Sequence, residues 1–72
     1  MTIHDIWFNS NMDHNTYVTI WDFTHTNVLF FETAEQLTDE MMDLEIWMFT
    51  VIDADDKGIN EIHFTLKRGL TA

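Results

Sequence analysis

Ile46-Trp47-Met48-Phe49-Thr50-Val51-Ile52 is a run of seven residues with one polar side chain, and its reading decides the fold. Met48 continues a helical register set by Leu37, Met41 and Leu44, so a long helix is one option. The run is also rich in aromatic and β-branched residues, and acids bound it at Glu45 and Asp53. A short apolar run closed by turn residues reads as a strand. The strand reading is adopted. Asp53-Ala54-Asp55-Asp56-Lys57-Gly58 then becomes a hairpin turn, with Gly58 supplying the positive φ that closes it. Ile59 to Lys67 returns as the last strand, with Ile62, Phe64 and Leu66 on one side and Glu61, His63, Thr65 and Lys67 on the other.

Strand 46–52 is apolar on both sides. Simple alternation puts Trp47, Phe49 and Val51 on one face, and Ile46, Met48 and Ile52 on the other. One helix can cover only one face. The expectation is therefore a central strand whose second face meets a second copy, the N-terminal strand or a target.

Upstream, Ile3 to Phe8 reads as a short strand, and the polar stretches Asn9–Asn11 and Asp13–Asn15 as turns. Residues 16–23 and 28–32 read as a hairpin around Thr24-His25-Thr26-Asn27, with Asn27 able to take a positive φ. Thr33-Ala34-Glu35-Gln36 has the spacing of a capping box and starts the predicted helix, which presents Ala34, Leu37, Met41 and Leu44. The expected fold is a single α+β domain over residues 1–72. It has a small antiparallel sheet in the order βββαββ, with one short helix packed on one face.

The chain has 72 residues, no cysteine and no proline, and ten aromatic side chains. A domain this short buries only about 60% of its unfolded surface. Ten rings are more apolar area than so small a core hides, so a homodimer is expected. The net charge is -10, from thirteen acids against three bases. Twelve of the acids lie within residues 1–56, which contain no Lys or Arg. Such a surface repels nucleic acid and anionic membranes and attracts basic proteins. No run approaches the 18 or so apolar residues of a membrane helix, and residues 1–15 lack the basic start of a signal peptide. The expected compartment is the cytoplasm.

Catalytic chemistry finds few residues to use. Ser10 is the only serine and sits in a polar turn, and two glycines cannot build a phosphate loop. Asp53, Asp55 and Gly58 match the opening of a calcium loop, but Lys57 and Phe64 stand where oxygen ligands belong, so a solvated turn is the expectation. His4, His14, His25 and His63 are scattered. The chain is expected to be non-enzymatic, with no catalytic residues, no metal and no cofactor.

One charged segment stands out. Glu32, Glu35, Asp39, Glu40, Asp43 and Glu45 put six acids into fourteen residues with no cation among them. Carboxylates one helical turn apart approximate a row of backbone phosphates. Solubility alone usually mixes signs on a surface, and this segment does not. These six are the candidate partner-binding residues.

Ile20-Trp21-Asp22-Phe23, Val28-Leu29-Phe30, Thr33-Ala34-Glu35-Gln36-Leu37 and Asp43-Leu44-Glu45-Ile46, with the closing hairpin, resemble short acidic proteins of phages and mobile elements of low-GC Gram-positive bacteria. The likeness covers residues 18–66. In size and acidity the chain is also similar to phage anti-defence inhibitors, including anti-CRISPR proteins and DNA mimics. The first likeness implies a setting, a bacterial host, and no activity; the second, with the acidic segment, gives the expectation of an inhibitor that binds the basic nucleic-acid-binding surface of a host defence or DNA-processing protein. The alternative is a small homodimeric structural or interaction module whose acidity only keeps it soluble.

Repulsion among the acids should be screened by salt, since the Debye length falls from about 30 Å at 0.01 M to about 8 Å at 0.15 M. The melting temperature should therefore rise with added NaCl in a calorimetric titration. Crowding should also raise carboxyl pKa values, which would ease repulsion as pH falls from neutral. A flat response to salt would mean that the acids are well dispersed.

Overall fold

The computed structural model describes residues 1–69. Helix α1 (Ile3–Phe8) is followed by strands β1 (Tyr17–Trp21) and β2 (Val28–Thr33). A single 3-10 turn (Ala34–Gln36) and helix α2 (Asp39–Met42) lead to strands β3 (Ile46–Asp55) and β4 (Gly58–Leu66). The domain is α+β, as its sequence implies. Its four strands lie in the order β2-β1-β4-β3.

The sheet is two antiparallel hairpins joined at their inner strands. β1 pairs with β2, and β3 with β4, antiparallel. β1 and β4 run parallel, with Val18 beside Ile62 and Ile20 beside Phe64. The sheet is therefore mixed rather than wholly antiparallel. β2 and β3 are its edges, so the segment joining them must pass over the sheet. That segment, Ala34–Leu44, together with α1 covers one face. Val18, Ile20, Ile62 and Phe64 from the inner strands and Ile3, Ala34 and Ile46 from outside them are all buried there. Trp7, Leu37, Met42 and Leu44 close around this core. Phe64 is fully buried, and truncating such a ring typically costs ~3–5 kcal/mol.

Residues 3–8 form a helix and not the expected strand. The Asp5 N–H donates to the Thr2 hydroxyl at 3.3 Å, and the Thr2 N–H donates to the Asp5 carboxylate at 2.9 Å. This reciprocal cap contributes about 1 kcal/mol. It sets Ile3, Ile6 and Trp7 one turn apart on the core side, which is helical spacing. The Ile3 N–H to Leu44 carbonyl and Ile46 N–H to Met1 carbonyl bonds, at 3.2 and 2.8 Å, tie the N-terminus to the start of β3.

The helix expected from Thr33 begins later and is shorter. Thr33 is extended (φ -66°, ψ 155°) and makes no side-chain cap. It is the last rung of β2, opposite Tyr17, and the ladder holds its backbone away from helical geometry. Thr38 caps α2 instead, its hydroxyl accepting from the Met41 N–H at 3.2 Å. Asp39 and Glu40 thus fall in a first turn, where the helix dipole favours them.

Residues 46–52 are a strand, and a helix extension is excluded. The strand runs on to Asp55 and lies at the edge, not the centre. Bulges alter its alternation. Ile46 opposes Leu66, while Phe49 and Val51 oppose Phe64 and Ile62. Trp47 and Ile52 are the extra residues, so Ile46, Phe49 and Val51 share the core side. In the first hairpin the positive φ (59°) falls on His25 rather than Asn27.

Gly58 closes the β3–β4 turn at φ 140°, and a Cβ at this position would collide with the carbonyl oxygen of Asn11. The same carbonyl accepts the Ile59 N–H at 3.0 Å, which clamps the hairpin base against the loop after α1. Gly58→Ala should destabilise the domain by about 1–3 kcal/mol through backbone strain and lost clamping. Urea denaturation checks this, and a change below ~0.5 kcal/mol would show that the turn and the loop yield easily.

Candidate functional site

The crossover from β2 to β3 carries the acidic segment. Its inward residues, Ala34, Leu37, Met42 and Leu44, pack on the core. Its exposed residues include Glu35, Asp39, Glu40 and Asp43, with Glu32 just before it on β2 and Glu45 just after it. All six candidate acids are exposed. Glu45 alone has a cationic partner, the Arg68 guanidinium at 2.7 Å. Among the described residues no cation lies within ion-pair distance of the other five. Exposed pairs contribute only ~0–1 kcal/mol, so the Arg68 contact does little to offset the field.

Two of the acids are brought beside an aromatic ring. The Glu35 N–H donates to the His14 carbonyl at 3.1 Å, and the Ala34 N–H donates to the Thr16 carbonyl at 2.8 Å. These bonds stitch the start of the crossover to the loop before β1. The Trp7 ring of α1 lies 5.7 Å from the His14 ring, tilted by 55°. Between them is an open cleft of about 230 Å3 lined by Trp7, His14, Ala34, Glu35, Leu37, Asp39 and Met42. Its walls combine an indole, apolar side chains and two carboxylates. That combination suits the stem and charged head of a Lys or Arg side chain, through cation–π contact and charge-assisted hydrogen bonds. The role of Trp7 was hidden in the sequence because residues 3–8 read as a strand. The spacing of Thr2 and Asp5 was the available signal.

The face of the sheet opposite the helices carries a second cluster. The Trp21 indole N–H donates to His63 Nδ1 at 3.2 Å, so Nε2 of His63 holds the proton and donates to Glu61 at 3.1 Å. His25 stacks on Trp21 with ring centres 4.3 Å apart, and its Nδ1 is bonded to the Thr65 hydroxyl at 2.9 Å. Tyr17 and Phe31 lean together at 5.8 Å. Every polar atom named here is engaged with a neighbour, and the group roofs the buried residues Thr19 and Thr65. Its evident work is structural.

The carboxyl pKa shifts run against the crowding expectation. Asp22 is held far below the usual carboxylate range, first by the Thr26 backbone N–H and then by donors from Asn27 and Thr24, against a partial desolvation. Asp5 is lowered by the Thr2 backbone N–H, and Asp55 by the Asn60 amide and the Lys57 N–H. Local donors at turns and caps win over long-range repulsion at these three sites. Asp53 and Asp55 both accept from Asn60, at 3.2 and 3.1 Å, which fits a hydrogen-bonded hairpin turn.

A depressed folded-state pKa stabilises the fold at pH values above the ordinary carboxyl pKa of about 4, and that contribution fades as pH falls further. Asp22 should therefore help stabilise the fold at neutral pH and lose that effect in acid. Asp22→Asn should lower the melting temperature at pH 7. The gap from the parent chain should narrow steadily below about pH 4. A gap that stays constant down to pH 2 would show that the carboxylate charge is irrelevant to the turn.

No helix among the described residues is long and apolar enough to cross a membrane. No protein-family model, curated protein or solved structure matches the chain.

Proposed function

We propose that the chain is a non-enzymatic acidic inhibitor that docks on the basic, nucleic-acid-binding surface of a host defence or DNA-processing protein. In this reading it is encoded by a phage or mobile element and acts in the bacterial cytoplasm. The observation that supports it best is the cleft in which Glu35 and Asp39 flank Trp7, on a crossover whose other exposed acids also lack cations. Carboxylates steer a basic partner into contact and set the on-rate. A partly buried aromatic beside them is the kind of anchor that holds a complex once formed. Lys and Arg side chains of the target would enter the cleft, and Glu40, Asp43 and Glu32 would face the surrounding basic surface. Occupying that surface excludes DNA or RNA from it.

An oligo-arginine peptide is a suitable probe. Its binding should shift the Trp7 indole and the Glu35 and Asp39 amides in NMR spectra, and should weaken as salt rises. A variant combining Glu35→Gln, Asp39→Asn, Glu40→Gln and Asp43→Asn keeps side-chain size and removes four charges. It should fold, since exposed changes usually cost within ±0.5 kcal/mol each. It should bind the peptide at least about tenfold more weakly, a difference of ~1.4 kcal/mol. A matched control, Asp53→Asn with Asp55→Asn and Asp56→Asn, should bind nearly as the parent does. If the folded crossover variant binds as tightly as the parent, these acids only keep the chain soluble. Greater loss in the hairpin control would move the binding surface to the β3–β4 turn.

A further inference from the structure

Two side-chain links cross the join of β1 and β4 on the face away from the helices, and each uses a histidine. The Trp21 indole of β1 donates to His63 Nδ1 of β4 at 3.2 Å. His25, in the turn after β1, is bonded through Nδ1 to the Thr65 hydroxyl of β4 at 2.9 Å, and its ring stacks on Trp21 with centres 4.3 Å apart. The backbone register sets Thr19 beside His63 and Trp21 beside Thr65, so both links bridge the parallel seam between the two hairpins. Imidazole is the side chain whose charge ordinarily changes between about pH 5 and 8. The two links respond to that change differently.

A hydroxyl donates or accepts as required, so Thr65 can serve His25 in either charge state. An indole N–H only donates. It needs a bare lone pair on Nδ1 of His63, and a protonated imidazole carries an N–H on both nitrogens. Two N–H groups would then point at each other across 3.2 Å. The other side of the ring has no such conflict. Nε2 donates to Glu61 at 3.1 Å in both states, and the bond becomes charge-assisted when the ring is positive.

We propose that His63 is a pH-sensitive latch between the two hairpins: a proton taken up on Nδ1 releases the Trp21 indole from β4, while Glu61 keeps hold of the ring. The titratable groups around it are Glu61 on its own strand and His25 beyond Trp21, with Tyr17 of β1 and Asp53 of β3 flanking Glu61 in the register. Thr19 and Thr50, its neighbours on β1 and β3, carry no charge. Of these groups Glu61 is the one bonded to His63, and it compensates the added charge. The His63 side chain is 24% exposed, so protons reach it from solvent. Trp21 is half-buried and can turn its N–H to water without leaving His25, since a cationic imidazole over an indole is itself favourable. Opening the latch therefore unties one of the two links and leaves the other. It lies across the sheet from the acidic crossover and works whatever that crossover binds.

Nitrogen NMR of the intact chain tests the latch. At about pH 8, where an imidazole is neutral, His63 should show a bare Nδ1 and a protonated Nε2, and a scalar coupling should join the Trp21 indole nitrogen to Nδ1. At about pH 5 that coupling should be lost, and the Trp21 indole N–H resonance should move to the position of a water-exposed indole, in step with the His63 ring signals. Trp21→Phe identifies the resonance by removing it. In His63→Asn an amide oxygen can take the place of Nδ1 and does not titrate, so in a variant that circular dichroism shows to be folded the Trp21 resonance should hold its place across this range. His25→Gln should leave the shift intact. A proton on Nδ1 in the neutral ring overturns the proposal, as does a coupling that survives after the His63 signals have titrated, and both are read on the parent chain alone. A shift that vanishes in His25→Gln and persists in His63→Asn also overturns it, because the response would then belong to the stack.

Discussion

The parallel pairing of β1 with β4 is the constraint on which the rest of the domain depends. Each hairpin alone would be marginal in water. Side by side, Val18 with Ile62 and Ile20 with Phe64 make the floor of one core, to which β4 also adds Leu66. Parallel neighbours cannot be joined by a tight turn. With both inner strands taken, β2 and β3 are forced to the edges, and the chain between them must cross the full width of the sheet. That crossover roofs the core with its apolar side and turns its acids outward. The position of the acidic segment is thus a consequence of sheet order, and a single helical turn, α2, suffices to display Asp39 and Glu40.

Local chemistry, by contrast, governs the individual carboxylates. Asp5, Asp22 and Asp55 each sit where the chain reverses or a helix begins, and each accepts backbone or amide N–H donors there. The acids do two kinds of work. Some hold turns, and their pKa values fall accordingly. Others, on the crossover, are left facing water without cations, and any use they have is outside the chain.

What could be read in the sequence followed the range of the interactions. The run 46–52 and the alternation of Ile62, Phe64 and Leu66 were legible because strand preference and burial agree there. Gly58 was legible because its turn needs a positive φ. Residues 3–8 were misread because Ile3, Ile6, Trp7 and Phe8 look like an apolar run, although Thr2 and Asp5 had capping spacing. Thr33 heads the only capping-box spacing read there, but its ladder contact with Tyr17 keeps it extended, and Thr38 caps the helix instead. The six acids were visible as a cluster. Their meeting with Trp7 was not, because it depends on α1 docking beside the crossover. The edge position of β3 was equally hidden, since it follows from the long-range partnership of β1 with β4.

That partnership also sets the order in which the chain can assemble. Each hairpin closes over a short loop and can form within microseconds. The β1–β4 contact joins residues such as Val18 and Ile62 across most of the sequence, and ordering that long loop carries an entropy cost that only the completed core offsets. Docking of two preformed hairpins is therefore the slow event. With no proline in the chain, no peptide-bond isomerisation lies in series with it. Until docking is complete the β1 and β4 edges stand open beside that of β3. The interval between hairpin closure and docking is when an acidic, self-repelling chain is best protected from aggregation by its own charge.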